Sequence, residues 1–383
     1  MIIYNPFRGL QNTLKVLTKH PANGLAQRFR VACDYSKLYR RKGLLADEYM
    51  EYRFDQCSET FRNTFLGLNE QRFYLDYLNP KKYYILARNK YLTHKILEDL
   101  GIRKPILYAY YQPEGRGESA CVSAHAKGIC HILRHKGVES CVVKSTESSH
   151  GDNVHVVTAI EYKDDEALMH LHDGNIIKLS DLLGPEPLVF ESRVKQTAQL
   201  SAFNADSINT VRFMTTLYPN GEARIVATFI KIGRAGRCVD NAGEGGNVDA
   251  SIDTETGTLQ YAIQYDNPHH YHDIEVHPDN QNPINGVHID HWQAIKEDVL
   301  RFQQALPYVK AAGWDIAITE EGPVVIEVND MWDRLGQLFL RRGWRNEIRD
   351  CYLAWKKTGK NYPFVRRENM LKEKHLEKIA RNE

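Results

Sequence analysis

Two carboxylates and one amide recur in this chain at a spacing that brings them together. Residues 313–330 read GWDIAITEEGPVVIEVND, two alternating runs around a polar turn at residues 320–322, the pattern of a β-hairpin. Side chains alternate faces along a strand, so Trp314, Ile316, Ile318, Val324, Ile326 and Val328 are expected on one apolar face. Asp315, Ala317, Thr319, Val325, Glu327 and Asn329 then share the other. If Ile318 pairs with Val324, Asp315 lies opposite Glu327 and diagonal to Asn329, within about 5–8 Å. Like charges that close call for a cation, and hard oxygen ligands suit magnesium bound together with substrate phosphates. The plain alternative is a surface hairpin with its polar residues outward, which the poor strand propensity of Glu and Asp disfavours.

Cations stand upstream of this set. Lys144 ends the apolar run Val142-Val143 and opens the segment STESSHGD, in which Ser148, Ser149 and Gly151 allow backbone N–H groups to converge on an anion. Lys144 would add a point charge. The segment is not a GxxxxGK[ST] loop, and serine-rich loops after strands are also ordinary connectors. Arg212 and Lys231 sit between apolar neighbours on two arms flanking Asn220-Gly221, a hairpin signal. Such cations can merely reach out to water; next to a carboxylate set they better fit phosphate neutralisation. Residues 233–246, with Arg234, Arg237, Asn241 and several glycines, read as a loop beside the same site or as a surface turn. Six histidines fall between 269 and 291. Imidazole is a good zinc ligand, but the spacing matches no structural zinc pattern, so this stretch reads as a polar, loop-rich wall. No GxSxG elbow is present.

The elements expected to carry these residues alternate. Residues 1–80, rich in Arg, Lys, Tyr and Phe, read as a helical region. Residues 89–100 read as a helix with Leu92, Ile96 and Leu100 on one stripe and Gly101 as terminator. Strands are expected over residues 106–111, 140–144, 154–162, 175–179 and 188–191, with a helix over 120–135; such alternation suggests an α/β layer. Antiparallel signals follow at 208–218 with 222–232, and at 248–253 with 258–265. A helix is expected over 286–306, on a stripe of Ile289, Trp292, Ile295, Val299, Phe302 and Leu306. The chain ends in a charged helical tail.

Composition is that of a globular protein: 383 residues, 42% hydrophobic and 26% charged. A formal net charge of +1 argues against a dedicated nucleic-acid binder. No stretch approaches the roughly 20 apolar residues of a membrane span, and the N-terminus does not read as a signal peptide. Seven dispersed cysteines suggest reduced thiols and a cytoplasmic location. Cys121, Cys130 and Cys141 are expected in the core. The oligomeric state is not legible.

The order of these pieces resembles the ATP-grasp superfamily, and within it the sugar-transfer-associated branch. The matching stretches are residues 142–151, 188–196, 209–216, 229–233, 240–246 and 314–330. The resemblance implies an α+β, ATP-grasp fold in which two α+β lobes clasp ATP, with helices at both ends. It divides the chain into an N-terminal helical region (1–80), a first lobe (81–187), a second lobe with the carboxylate hairpin (188–345) and a C-terminal helical tail (346–383). It implies that Lys144 and Lys90 contact ATP and that residues 189–194 line the adenine and ribose, with Glu191 as the polar candidate. A usual second acid is missing, for which Gln196 or Gln199 would substitute. Arg212 and Lys231 would hold phosphates, and Asp315, Glu327 and Asn329 magnesium, with manganese as the alternative ion. The implied activity is carboxylate–amine ligation through an acylphosphate, in cell-surface polysaccharide biosynthesis. A small-molecule or sugar kinase and a non-catalytic nucleotide-binding partner of a glycosyltransferase complex are the competing readings.

Overall fold

The computed structural model of the chain describes residues 6–21, 24–115, 118–147, 154–238, 246–267 and 270–359. The N-terminal region is helical as expected: α1 (Pro6–Lys19), α2 (Leu25–Lys42), α3 (Ala46–Glu51), α4 (Glu59–Thr64) and α5 (Leu68–Leu78). Ser58 caps α4, its hydroxyl accepting from the Phe61 N–H at 3.2 Å. Tyr35, Tyr49, Phe54 and Phe65 centre an aromatic core of their own. Then come α6 (Ile85–Arg88) and α7 (Lys90–Asp99). Asn89 caps α7, and Gly101 beyond its end adopts φ 66°, where a Cβ would be strained. The expected stripe of α7 is displaced by one position. Thr93, His94 and Leu97 are the buried residues, while Leu92 and Leu100 are exposed.

The first sheet contains β1 (Leu107–Tyr111), β2 (Val122–Ser123), β3 (Cys141–Ser145), β4 (Val154–Lys163), β5 (Glu166–Leu171), β6 (Ile176–Lys178) and β7 (Leu188–Glu191), in the order β2-β1-β7-β3-β4-β5-β6. Only the β1–β2 pairing is parallel. Helix α8 (Ala126–His135) buries Ile129, Cys130 and Leu133 against this sheet, and α9 (Leu179–Leu182) adds Leu179. The helix expected over 120–135 is thus shorter: its first residues form β2 as an edge strand beside β1. Cys121 is half-buried rather than in the core, whereas Cys130 and Cys141 are fully buried.

After α10 (Ala198–Ser201) the second sheet is entirely antiparallel: β8 (Val211–Leu217), β9 (Ala223–Ile232), β10 (Val248–Ile252), β11 (Leu259–Asn267), β12 (His270–Asp273), β13 (Ala311–Thr319) and β14 (Gly322–Asn329), in the order β12-β11-β10-β9-β8-β13-β14. One face packs on α11 (Trp292–Ala305) through Phe213, Trp292, Phe302 and Trp314, the Phe213 and Trp292 rings stacking at 5.3 Å. This helix starts six residues later than expected, behind His291 in the left-handed region (φ 57°), although the whole expected stripe is buried. Part of the opposite face is covered by α5 and by α12 (Gly336–Phe339) and α13 (Arg345–Lys357). The N-terminal region is tied to this end. Asn79 donates to the carbonyls of Ala311 and Asp330, Gln71 to that of Trp332, and buried Arg345 pairs with Glu70. Mixed α and β structure in two sheets, with helices at both ends, is therefore the architecture. Among the described residues no helix is long and apolar enough to cross a membrane. The charged tail from residue 360 lies outside the described residues.

Candidate active site

The part of the second sheet that α5, α12 and α13 leave uncovered faces the first sheet, and a cleft lies between the two. Its apolar lining residues include Pro105, Val142, Val154, Val156, Val194 and Ile208. Among them stand the charged Lys90, Lys144, Glu191, Lys231, Asp315 and Glu327, with Val154 across from Lys144 and Val142 across from Glu191. A cleft that combines apolar walls with cations and carboxylates suits an amphipathic ligand with a flat base and anionic groups.

The carboxylate hairpin supplies one wall. Asp315 pairs with Glu327 across β13 and β14, as the alternation suggested, but by a different route. The turn pairs Ile318 with Pro323, one residue out of the expected register, and a β-bulge between Asp315 and Ile316 restores the offset. The bulge leaves Ile326 without a partner of its own. It also reverses the phase of the β14 arm: Val325 and Val328 enter the core, whereas Val324 and Ile326 are only half-buried and Ile326 joins Glu327 in the cleft. The expected apolar set Val324, Ile326, Val328 is corrected accordingly.

Asp315 is buried and held by cations. Arg212, opposite it on β8, donates from Nε and Nη2 at 2.5 and 2.8 Å, and the Lys231 ammonium lies 3.2 Å away. Burial raises the Asp315 carboxyl, but Arg212 and Lys231 outweigh that and bring it down to about 2. The Arg212 guanidinium, also disfavoured by burial, is raised by the same carboxylate. Asn329 lies alongside, its amide 3.4 Å from Asp315. Glu327 is a third exposed and pairs with Lys90 at 3.5 Å. Two carboxylates and an amide fit a magnesium ion only if it brings further oxygens, because an octahedral ion needs six donors. Asp315 must also share its oxygens with Arg212 and Lys231. This donor set suits an ion carried in on phosphates.

The opposite wall carries a second buried charge centre. Glu191, at the end of β7, pairs with the Lys144 ammonium and with His94 Nε2 at 2.8 Å. Burial raises its carboxyl, and Lys144 and His94 more than offset this, bringing it down to about 2. Lys90, Lys144, Glu191, Lys231, Asp315 and Glu327 therefore meet in one cleft. Arg212 stands behind Asp315 and is not among the cleft-lining residues. Ser148, Ser149 and Gly151 lie outside the described residues, as does Asn241. Gln196 and Gln199 do not stand in for a second acid. Buried Gln196 bonds the backbone of Asn204, Ser207 and Asn209, and Gln199 bonds that around His288 and Asp290. The cleft instead holds Asp206, which accepts from the Gly236 N–H at 2.7 Å. Nothing local in the sequence marked it. His94 was also missed, though its position four residues after Lys90 puts both on one helix face.

The histidine stretch gathers no metal set: among the described residues no group of three or more His, Cys, Asp or Glu could hold a metal ion. His277 is buried against the Gly233 carbonyl at 3.1 Å, and His272 pairs with Asp266. Arg234 is held by Asp279 in a two-bonded pair and not by the cleft.

A model of the sugar-transfer associated ATP-grasp family matches residues 69–351. No curated protein matches the chain significantly. Similar solved structures include N5-carboxyaminoimidazole ribonucleotide synthetase from Thermotoga maritima, at 12% identity and TM-score 0.39, covering 72% of this chain and 52% of the synthetase. D-alanine–D-alanine ligase from Bacillus anthracis is 14% identical with TM-score 0.38, covering 72% and 70%. Biotin carboxylase from Campylobacter jejuni is 10% identical with TM-score 0.41, covering 74% and 48%. The chain spans about half the length of the synthetase and of the carboxylase.

Proposed function

The chain belongs to the sugar-transfer associated ATP-grasp family, and from that premise we propose that it is an ATP-dependent carboxylate–amine ligase acting on a sugar or amino-acid-like substrate. The observation that carries this reading is the pairing of Asp315 with Glu327 beside Lys231, in the cleft that also holds Lys144 and Lys90. The proposed lobes are residues 81–187 and 188–345, with β7 reaching back into the first sheet. In this reading the base of ATP lies along residues 189–194, among the apolar side chains of the cleft. Glu191 is its polar contact, and Asp206 is the acid for the ribose.

Lys90, Lys144 and Lys231 neutralise phosphate oxygens, joined by the loop around Ser148, Ser149 and Gly151. Arg212 acts through Asp315, holding that carboxylate ionised and aimed. Magnesium, held by Asp315, Glu327 and Asn329, would withdraw charge from the transferring phosphoryl. A carboxylate oxygen of the substrate attacks the γ-phosphorus; the bond to the bridging oxygen breaks and ADP leaves. The amine nitrogen then attacks the acyl carbon, the acyl C–O bond breaks, and phosphate departs as the nitrogen loses a proton. Fixed cations suit both steps because they need no rearrangement as charge moves. Use of ATP and the free cysteines support a cytoplasmic location.

The experiment is ADP release screened over pairs of carboxylates and amines, with products read by mass. Amine-dependent release of phosphate together with an amide product supports the ligase. A stable phosphorylated product that forms without amine makes it a kinase instead. Nucleotide binding with no turnover over the whole screen makes it a non-catalytic partner.

A further inference from the structure

The N-terminal helix pair carries a surface that the cleft does not use. Helices α1 and α2 pack against one another and bury Val16, Val31, Tyr35 and Leu38 in the aromatic core. Their outer faces carry several exposed apolar side chains among polar ones. Leu25 is 85% exposed, Phe7 70%, Phe29 65%, Leu10 60% and Leu14 50%. Their spacing is that of a helical stripe on each helix, 7-10-14 and 25-29. An exposed apolar cluster of this kind marks an interaction surface.

Charge identifies the partner. Residues 6–42 contain nine Lys and Arg and one acid, Asp34, in a chain of 50 basic and 49 acidic side chains overall. Asp34 is taken up by Arg62 and Tyr49. Lys19, Arg30, Lys37 and Arg40 are exposed, and Arg40 falls on the same face of α2 as Leu25 and Phe29. A second copy of this chain would oppose a basic face to a basic face. Residues 360–383, with seven basic and four acidic side chains, do not complement it either. Apolar side chains flanked by cations fit the interface of an anionic bilayer, where Leu and Phe enter the acyl boundary and Lys and Arg meet the headgroups.

We propose that α1 and α2 dock the protein on an anionic phospholipid surface, lying in the plane of the membrane without crossing it. The surface lies outside the nucleotide cleft, so this inference and the ligase reading can fail separately.

The test is co-sedimentation of the full chain with vesicles of phosphatidylcholine alone and of equal parts phosphatidylcholine and phosphatidylglycerol, at low and high salt. The protein should pellet with the anionic vesicles and be released by salt. The double variant Leu25→Glu, Phe29→Glu should weaken partitioning at least about tenfold. Arg30→Glu, Lys37→Glu should weaken it similarly and flatten the salt dependence. Both should keep the wild-type melting temperature and solution ATP turnover, since all four side chains are exposed. Equal pelleting with neutral vesicles, no pelleting, or unchanged pelleting of either variant overturns the proposal. So does a solution dimer of the wild type that Leu25→Glu, Phe29→Glu dissolves, because the face would then belong to a second copy.

Discussion

Asp315 and Glu327 face each other across two strands, yet their removal should have very unequal consequences for folding. The Asp315 side chain is 5% exposed between Arg212 at 10% and Lys231 at 8%. Asp315→Ala leaves two buried cations without their shared carboxylate, and breaking a buried pair this way costs about 3–5 kcal/mol. The depressed carboxyl gives the same order. A carboxyl brought from 3.8 to about 2 is worth about 2–3 kcal/mol at roughly 1.4 kcal/mol per unit. Glu327 is 34% exposed and pairs with Lys90 at 3.5 Å, so Glu327→Ala should cost about 0–1 kcal/mol. Both variants should lose ATP turnover. The assay is urea unfolding followed by circular dichroism, run beside ADP release. The pH sign follows from the depressed value: the Asp315 contribution is complete above its ordinary value of 3.8 and is lost as pH falls toward about 2. The stability gap between wild type and Asp315→Ala should therefore narrow over that window. Equal stability of the two alanine variants at pH 7 would refute the buried charge centre. Persistent turnover in Glu327→Ala would refute the metal assignment.

Lys144→Met removes one of the cations paired with Glu191 and leaves His94 in place. Its carboxyl should rise from about 2, and nucleotide affinity, measured by titration with a fluorescent ATP analogue, should fall at least about tenfold for a lost charge-assisted contact; unchanged affinity would remove Lys144 from the site. Gly343→Ala would place a Cβ 2.0 Å from the Thr64 carbonyl oxygen, where backbone meets backbone. A melting temperature lowered by an amount equivalent to about 1–3 kcal/mol is expected, and an unchanged one would contradict the close approach of the N-terminal region to the segment before α13. Burial lowers the Lys310 ammonium to about 8, so the unfolded chain binds more protons between pH 8 and its ordinary 10.5, and stability should rise over that range. Lys310→Met should be more stable than wild type at pH 7, by up to about 3 kcal/mol, with the advantage shrinking toward pH 10; a destabilised variant would show that the ammonium is a net contributor.

Local alternation and turn residues were enough to place most strands, because a strand's period of two and an Asn-Gly turn are properties of neighbours in sequence. The chemical residue types were legible for the same reason, and so was the family. Where the sequence misled, distant partners decided. The stripe of α7 slipped by one because helical spacing fits several adjacent faces, and packing selects among them. Val122 and Ser123, expected in a helix, became a short strand because an edge of β1 was there to pair with.

By itself, then, the sequence determined that Asp315, Glu327 and Asn329 lie on facing arms, and that Lys144, Arg212 and Lys231 precede them on strands. Only the tertiary structure decided how those charges are spent. The β-bulge after Asp315 swaps Val325 for Ile326 in the core while keeping Asp315 opposite Glu327. Arg212 is committed to Asp315, Lys144 and His94 to Glu191, and Asp206 arrives from a loop that carries no signal. The physical reason is common to all of them: a buried charge must find its counter-charge, and which one it finds depends on which strands and helices meet, not on what lies beside it in the chain.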